Sequence, residues 1–523
     1  MDTVEKTISP EVHEVKAYHE GERPRHNPAL ERNFSFWSCL GLAFAILNSW
    51  NAMAASMSVA LPSGGSIAMV WGLPVSAVGT LLMAVSLAEA AHAFPTTGGQ
   101  YDWTYCVAPA RVRVGLSFVA GWTATTGWIA LVAANAIMTS NFVMGIIYLL
   151  HPAFESAPYQ IFLLYLAMTL LAYLLNTFAV RLLPWIDTSA MVWSMLGIVT
   201  VMITLLACAS GTYQPAKAVF ATWTNTTGWP DGMAFMLALL QSVLGFTAFD
   251  AVSHLSEEMP RPAINAPKAM VIAVLIGSVT GWLFLVILLL CLKDLDAATG
   301  APTGPLIAIY RQVTGSDAGT TCLVMFNLLA MFFACQGACT VASRLLMTFG
   351  RDNGMAGLSR FLGAVHPRLL VPQWSVLFVS VVVVIFGLIN LGSSVALNAI
   401  ISSAIVFLQV SYFIPSQFFR FTSHPVCCMF LRGDAAFADA PRSWSLGRWR
   451  RPVNGLALVF LLATTVCFFF PPGVPVTGSS MSYVVVVFAI GMLLALGVWL
   501  TSARKVFHGP SEMEARLIEG RRM

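Results

Sequence analysis

Twelve apolar stretches, each about long enough to cross a bilayer, constrain this chain more than any other feature. They run approximately over residues 34–58, 66–92, 112–148, 159–180, 186–210, 232–256, 268–292, 318–348, 373–390, 394–418, 453–470 and 481–502. A helix of about 20 apolar residues spans the hydrocarbon layer, and within that layer every backbone N–H and C=O must find a partner inside the protein. Bundled helices meet that demand. A soluble globule does not fit, because only 10% of the 523 residues are charged and mean hydropathy is +0.76, against about 25% charge in soluble domains. The expected class is an all-α polytopic membrane protein of twelve transmembrane helices, here called spans 1 to 12.

Charge sets the expected orientation. If residues 1–33 are cytoplasmic, the loops alternate so that 25 of the 28 basic residues lie inside. Only Lys217, Lys293 and Arg311 then fall outside, a strong positive-inside asymmetry. One missed span would scramble that pattern. Both termini (1–33 and 503–523) are expected in the cytoplasm, and residues 1–33 lack the apolar core of a cleavable signal. The sequon at Asn225 falls in the outer loop between spans 5 and 6, where it is a candidate glycosylation site. A second match at Asn33 is cytoplasmic and should stay bare. The ten cysteines show no metal-ligand spacing and read as packing thiols.

Two spans carry polar groups where a continuous apolar helix would have none. Span 1 contains GLAFAILNSWNAMAAS (41–56), with Asn48, Ser49 and Asn51 at mid-membrane depth. Span 6 contains GFTAFDAVSHLSEE (245–258), with Gly245 and Asp250 at similar depth. Spans 1 and 6 each open a group of five, and because five is odd the second group enters from the opposite side. That is an inverted repeat, in which discontinuous helices meet at a central binding site. The expected organisation is a first repeat over 34–210, a second over 232–418, and spans 11 and 12 over 453–502.

Several segments resemble the amino acid–polyamine–organocation superfamily. AFPTTGGQYDWTYCVAPARVR (93–113) looks like its loop after helix 2, with the Pro-x-x-Gly-Gly-x-Tyr pattern. FTAFDAVSHLSEEMPRPAINAPKAM (246–270) resembles its helix 6, and SRLLMTFGRDNGM (343–355) the end of its helix 8. FSFWSCLGLAFAILNSWNAMAASM followed by SGG (34–65) is similar to the fungal amino acid/choline transporter branch of choline, γ-aminobutyrate and polyamine permeases. The resemblance implies a LeuT-type fold with a 5+5 inverted repeat, discontinuous helices 1 and 6, a small amine or amino acid substrate and proton symport. It also implies a multi-pass protein of the plasma membrane. No cofactor, metal or nucleic-acid partner is called for; the lipid bilayer is the one obligatory surrounding.

The candidate substrate-binding residues are Asn48, Ser49, Trp50 and Asn51 in span 1 and Gly245, Phe246, Phe249 and Asp250 in span 6. Aromatic faces attract ammonium groups by about 0.5–2 kcal/mol; Trp122 and Trp128 of span 3 are weaker aromatic candidates. Ala52, Ala54 and Ala55 stand where a glycine-rich break would clamp an α-carboxylate on free amides. Their presence favours a cationic amine such as choline over an α-amino acid. Asp250, His254 and Glu258 are spaced to share one helical face. Three roles are open to Asp250: counter-charge for a cationic substrate, carrier of a coupling proton, or cap of a broken helix. Glu89, His254, Glu257, Glu258 and Arg351 are the gating and coupling candidates, with Arg261 and Arg344 as further members of an inner network. Asn327 and Gln336 in span 8 read as polar links between helices.

A secondary transporter is the leading class. A membrane-embedded enzyme using Asp250, His254 and Glu258 would need a nucleophile or metal cluster that the sequence lacks. No nucleotide-binding loop is present, and the tails are too short for a sensor's signalling module.

Overall fold

The structure of the chain is a computed structural model that describes residues 34–521 apart from 393, 417, 422–423, 428–443, 479–480 and 512. The N-terminal tail (1–33) and the sequon at Asn33 lie outside the described residues. Helices occur wherever an apolar stretch predicts one. Span 1 is Phe36–Leu47 plus Ser49–Ala55, span 2 Gly65–Ala93, span 3 Arg113–Leu150, span 4 Pro158–Phe178 and span 5 Leu183–Cys208. Span 6 is helical only over Asp231–Leu244; span 7 is Pro262–Cys291 and span 8 Asp317–Arg351. Spans 9 to 12 are Gln373–Gly392, Ser394–Ser416, Arg450–Cys467 and Val484–Val498. Among the described residues, the non-helical regular structure is a short antiparallel ribbon pairing Phe418–Phe421 with His424–Cys427.

The bundle has a core and a lipid-facing rim. Span 1 is 94% buried in its apolar window, whereas the window of span 12 is 11% buried. Span 1 therefore runs through the middle, and span 12 lies on the outside. Trp185, Leu196 and Ile203 of span 5 and Leu493 and Leu494 of span 12 are exposed. Contiguous exposed apolar side chains of this kind belong against acyl chains rather than water. Close helix approaches use small residues: a Cβ on Gly41 would stand 2.8 Å from the Asp187 carbonyl oxygen, and one on Gly337 would meet Ile46 at the same distance.

The break expected in span 6 is present, and it undoes one other expectation. The α-helix stops at Leu244, the chain turns through 245–250, and Ala251–Leu255 winds as a tighter 3₁₀ segment. Ala248 sits in the left-handed region at φ 77°. Asp250, His254 and Glu258 therefore do not share one α-helical face, and Glu258 turns to a different neighbour from the other two.

At the basic end of the bundle, the C-terminal tail folds back. Phe507 packs on Phe118 and Phe349. The helix Met513–Arg521 is held by Arg516, which pairs with Asp352 after span 8 and lies near Asp102 in the loop between spans 2 and 3, and by Arg521, which donates to the Ala93 carbonyl at the end of span 2.

Candidate functional site

The break in span 1 is one residue long. Asn48 adopts φ 41°, ψ 39°, a left-handed conformation that asparagine tolerates better than most residues. Its backbone remains bonded: its N–H donates to the Phe44 carbonyl, and its own carbonyl accepts from Asn51 and Ala52. Its side-chain amide is different. Both Nδ2 and Oδ1 are buried without a protein partner, so this residue offers a donor and an acceptor to whatever occupies the break.

The break in span 6 is tied to the first. Ser49 Oγ donates to the Gly245 carbonyl at 2.6 Å, and Gln241 Nε2 donates to the Met53 carbonyl at 2.6 Å. Gly245 has no room for a side chain, since a Cβ would stand 2.6 Å from the Met53 methyl. Phe246 and Phe249 are fully buried beside the turn, and Phe249 packs on Tyr412 of span 10 with ring centroids 4.9 Å apart. The remaining span 1 candidates face other helices. Trp50 Nε1 donates to Ser194 of span 5, and its ring meets Phe284 of span 7 edge-on. Asn51 exchanges hydrogen bonds with Asn327 of span 8, each amide donating once at 2.8 Å.

Asp250 is sealed. One carboxylate oxygen accepts from Tyr412 at 2.6 Å, and the other accepts from Gln100 at 2.6 Å and lies 3.0 Å from His254 Nε2. His254 Nδ1 is 2.9 Å from the Thr97 carbonyl, which can only accept, so Nδ1 carries a hydrogen. One further proton then lies between Nε2 and Asp250, whichever of the two holds it. The His254 ring also explains the Gly-Gly pair. Gly99 has φ 57°, and a Cβ there would stand 2.6 Å from His254 Cε1; a Cβ on Gly98 would collide with the Asp102 carboxylate. Gln100 follows the glycine pair directly but stands at the unspecified position of that motif, so the motif did not single it out. Tyr412 sits inside an apolar span with no local signal.

The two ends of the bundle differ. At the basic end, Arg344 Nε donates to Glu258 at 2.9 Å with both side chains buried, and Arg351 pairs with Glu257 at 3.3 Å. Arg450 pairs with Glu89, which also accepts from the Leu446 N–H. Arg261 instead starts span 7 in a left-handed conformation. At the opposite end, a cavity of about 420 Å³ descends past Ala55, Asn141 and Gln241 to Leu244, one residue short of the span 6 break. A second cavity of about 390 Å³ shares Ala55, Ser58 and Asn141. Asn225 lies at this end. Its Nδ2 donates to Trp229 and Asp231, and its Oδ1 accepts from Thr227. Trp223 Nε1 also donates to the Asp231 carboxylate, so Asn225 and Trp223 hold the same acid. Glycosylation at Asn225 would require this turn to open.

The amino acid permease family matches residues 34–492. The chain belongs to that family. Among its relatives, the choline transporter of Saccharomyces cerevisiae is 32% identical over 93% of this chain and 84% of its own length. A protein of Macrophomina phaseolina named as an amino acid/polyamine transporter is 33% identical over 85% of this chain and 96% of its own. In fold, the permease is similar to MhsT, solved in complex with L-phenylalanine, with a TM-score of 0.54 at 11% identity over 83% of this chain and 98% of that one. The expectations of an all-α LeuT-type fold and a membrane transporter of small amine or amino acid solutes hold. The permease is not an enzyme.

Proposed function

We propose that the permease takes up a small organic cation of the choline type from outside the cell, driven by protons, by alternating access. The carrying observation is the cavity that reaches Leu244, one residue short of the span 6 break, while the basic end is closed by buried ion pairs. With the basic end in the cytoplasm of the plasma membrane, this is an outward-facing arrangement. Glu258–Arg344 and Glu257–Arg351 act as the inner gate.

The chemistry of the break favours a quaternary ammonium alcohol over an α-amino acid. Such a cation has no N–H to donate, so it does not need a free carboxylate, and Asp250 has none to spare. Aromatic faces at Phe246 and Phe249 attract it, and the unpartnered Asn48 amide can bond its hydroxyl. Asn48, Ser49, Gly245, Phe246 and Phe249 form the proposed substrate site, with Trp50 and Asn51 supporting it through spans 5, 7 and 8. Asp250 and His254 hold the span 6 turn against Gln100 and Tyr412 and reach the substrate only if those bonds open. The choline and polyamine names of the two relatives support an amine substrate.

The test is competition for uptake of labelled choline in proteoliposomes. Choline analogues should compete at least tenfold better than leucine, and Asn48→Ala should raise KM by about tenfold with the protein still monodisperse. If α-amino acids alone compete, the substrate proposal is wrong while transporter class and fold stand.

A further inference from the structure

Six carboxyl side chains are buried among the described residues: Glu89, Asp102, Asp187, Asp250, Glu258 and Asp352. Four are well partnered, by Arg450, by Tyr412 with Gln100 and His254, by Arg344, and by Arg516 with Tyr101. Carboxylate oxygens buried without a hydrogen bond occur on Asp102 and Asp187. Asp102 lies outside the spans, with Arg516 of the tail 3.7 Å away. Asp187 alone of these two lies within the membrane, on span 5, where its backbone packs on Gly41 of span 1.

The groups around Asp187 do not balance. Arg344 of span 8 and Glu258 of the span 6 segment are the charges that bear on it, and span 1 contributes the Cys39 thiol. Arg181, earlier on its own strand of chain, is exposed. Two carboxylates and one guanidinium sealed from water carry one uncompensated negative charge, a costly state that a bound proton removes. The guanidinium is also unevenly used. Arg344 Nε serves Glu258 and Nη1 serves Ser343, while Nη2 is buried without a partner. An orphaned carboxylate oxygen on span 5 and an orphaned guanidinium N–H on span 8 are thus buried on two helices that pack together.

We propose that Asp187 is the site of the coupling proton. This rests on the proton-driven transport reading above and names the residue that does the coupling. With the gate closed, Arg344 is committed to Glu258, and Asp187 holds a proton as a neutral acid. When the gate opens, Glu258 separates from Arg344, and Nη2 turns to Asp187, which gives its proton to cytoplasmic water and becomes the new counter-ion. Binding of the proton in one state and release in the other link proton flow to gating. The balance is one proton bound while the gate is closed and one delivered to the cytoplasm when it opens, with no other group oxidised or reduced.

Two experiments test this. In proteoliposomes with an inward-directed pH gradient, Asp187→Asn should lose choline accumulation at least tenfold, and its residual exchange should no longer vary with pH. Asp187→Glu, which keeps a carboxyl, should recover part of the accumulation. Wild-type accumulation of Asp187→Asn overturns the assignment. A wild-type protein indifferent to the gradient instead overturns the proton-driven reading itself. The second experiment needs neither transport nor a variant. Dicyclohexylcarbodiimide reacts with protonated buried carboxyls, so mass spectrometry of the wild-type protein should find Asp187 labelled at pH 5 and at least fivefold less at pH 8.5. No labelling at pH 5 overturns the assignment even if both variants fail to fold.

Discussion

The two ends of this permease carry the same kinds of residue and use them differently. At the basic end, arginines lie against acids inside the protein: Arg344 on Glu258, Arg450 on Glu89 and Arg516 on Asp352. At the opposite end, the ion pair Arg311–Asp317 is exposed on both sides, and the space between helices is a cavity instead of a contact. The positive-inside rule accounts for where the arginines are, not for what they do there. In the structure the charge asymmetry is also one of packing: buried ion pairs close one end, and a cavity opens at the other. On the proposed reading, the pairs must break for the basic end to open. That difference is what an alternating-access carrier needs at rest.

The largest effect should come from the pair that holds span 11 to span 2. Glu89 and Arg450 are almost fully buried, and removing one partner of such a pair leaves an uncompensated charge at a cost of about 3–5 kcal/mol. Arg450→Met should therefore lower the thermal stability of the detergent-solubilised protein sharply, followed by size-exclusion chromatography after heating. Adding Glu89→Gln should recover most of the loss, because the stranded carboxylate is gone. If the single and double variants lose equally little, the basic end is not held by buried charge and the contrast between ends collapses.

A smaller and pH-dependent effect is expected where the tail meets the loop after span 2. Burial pushes the Asp102 carboxyl up to about 7, with Arg516 pulling it down and Asp352 pushing it up. A carboxyl raised in the folded state stabilises that state when protonated. The contribution is complete below its ordinary value near 4 and is lost as pH rises through about 7. Asp102→Asn should thus be more stable than wild type at pH 8, by about 1–3 kcal/mol, and nearly equal to it at pH 4. Thermal melts at the two pH values decide it. A variant less stable at both would mean that Asp102 works as the ionised partner of Arg516, and that the basic end needs this charge too.

How much of this was legible follows from what each feature depends on. The spans and both breaks were readable because they rest on local composition: apolar runs of bilayer length, and Asn48, Gly245 and Asp250 where a run should be unbroken. The shared face expected of Asp250, His254 and Glu258 failed because the chain after the left-handed Ala248 winds as a 3₁₀ segment, which the i, i+4, i+8 spacing does not reveal. Asn51 and Trp50 looked like substrate contacts because they flank the break; their direction depends on Asn327 and Ser194, which are visible only in three dimensions. Asp187 carried a usable signal that went unread, an acid one residue inside the apolar run that begins at 186.

The smallest effects separate burial from distance as the source of the asymmetry. Arg311–Asp317 is the shorter pair at 2.5 Å, yet its side chains are 41% and 48% exposed; Arg351–Glu257 is 3.3 Å apart with side chains 21% and 28% exposed. Were distance decisive, Arg311→Ala would cost more. Solvent screening argues the reverse, because exposed pairs contribute about 0–1 kcal/mol whatever their geometry in one structure. Arg311→Ala should leave stability unchanged within error, and Arg351→Ala should lower it by about 0.5–1 kcal/mol. The Arg351 loss should also shrink in 1 M salt, where the Debye length falls to about 3 Å. Equal losses, or a larger one at Arg311, would mean that the charges at the two ends are equivalent and that only the cavity distinguishes them.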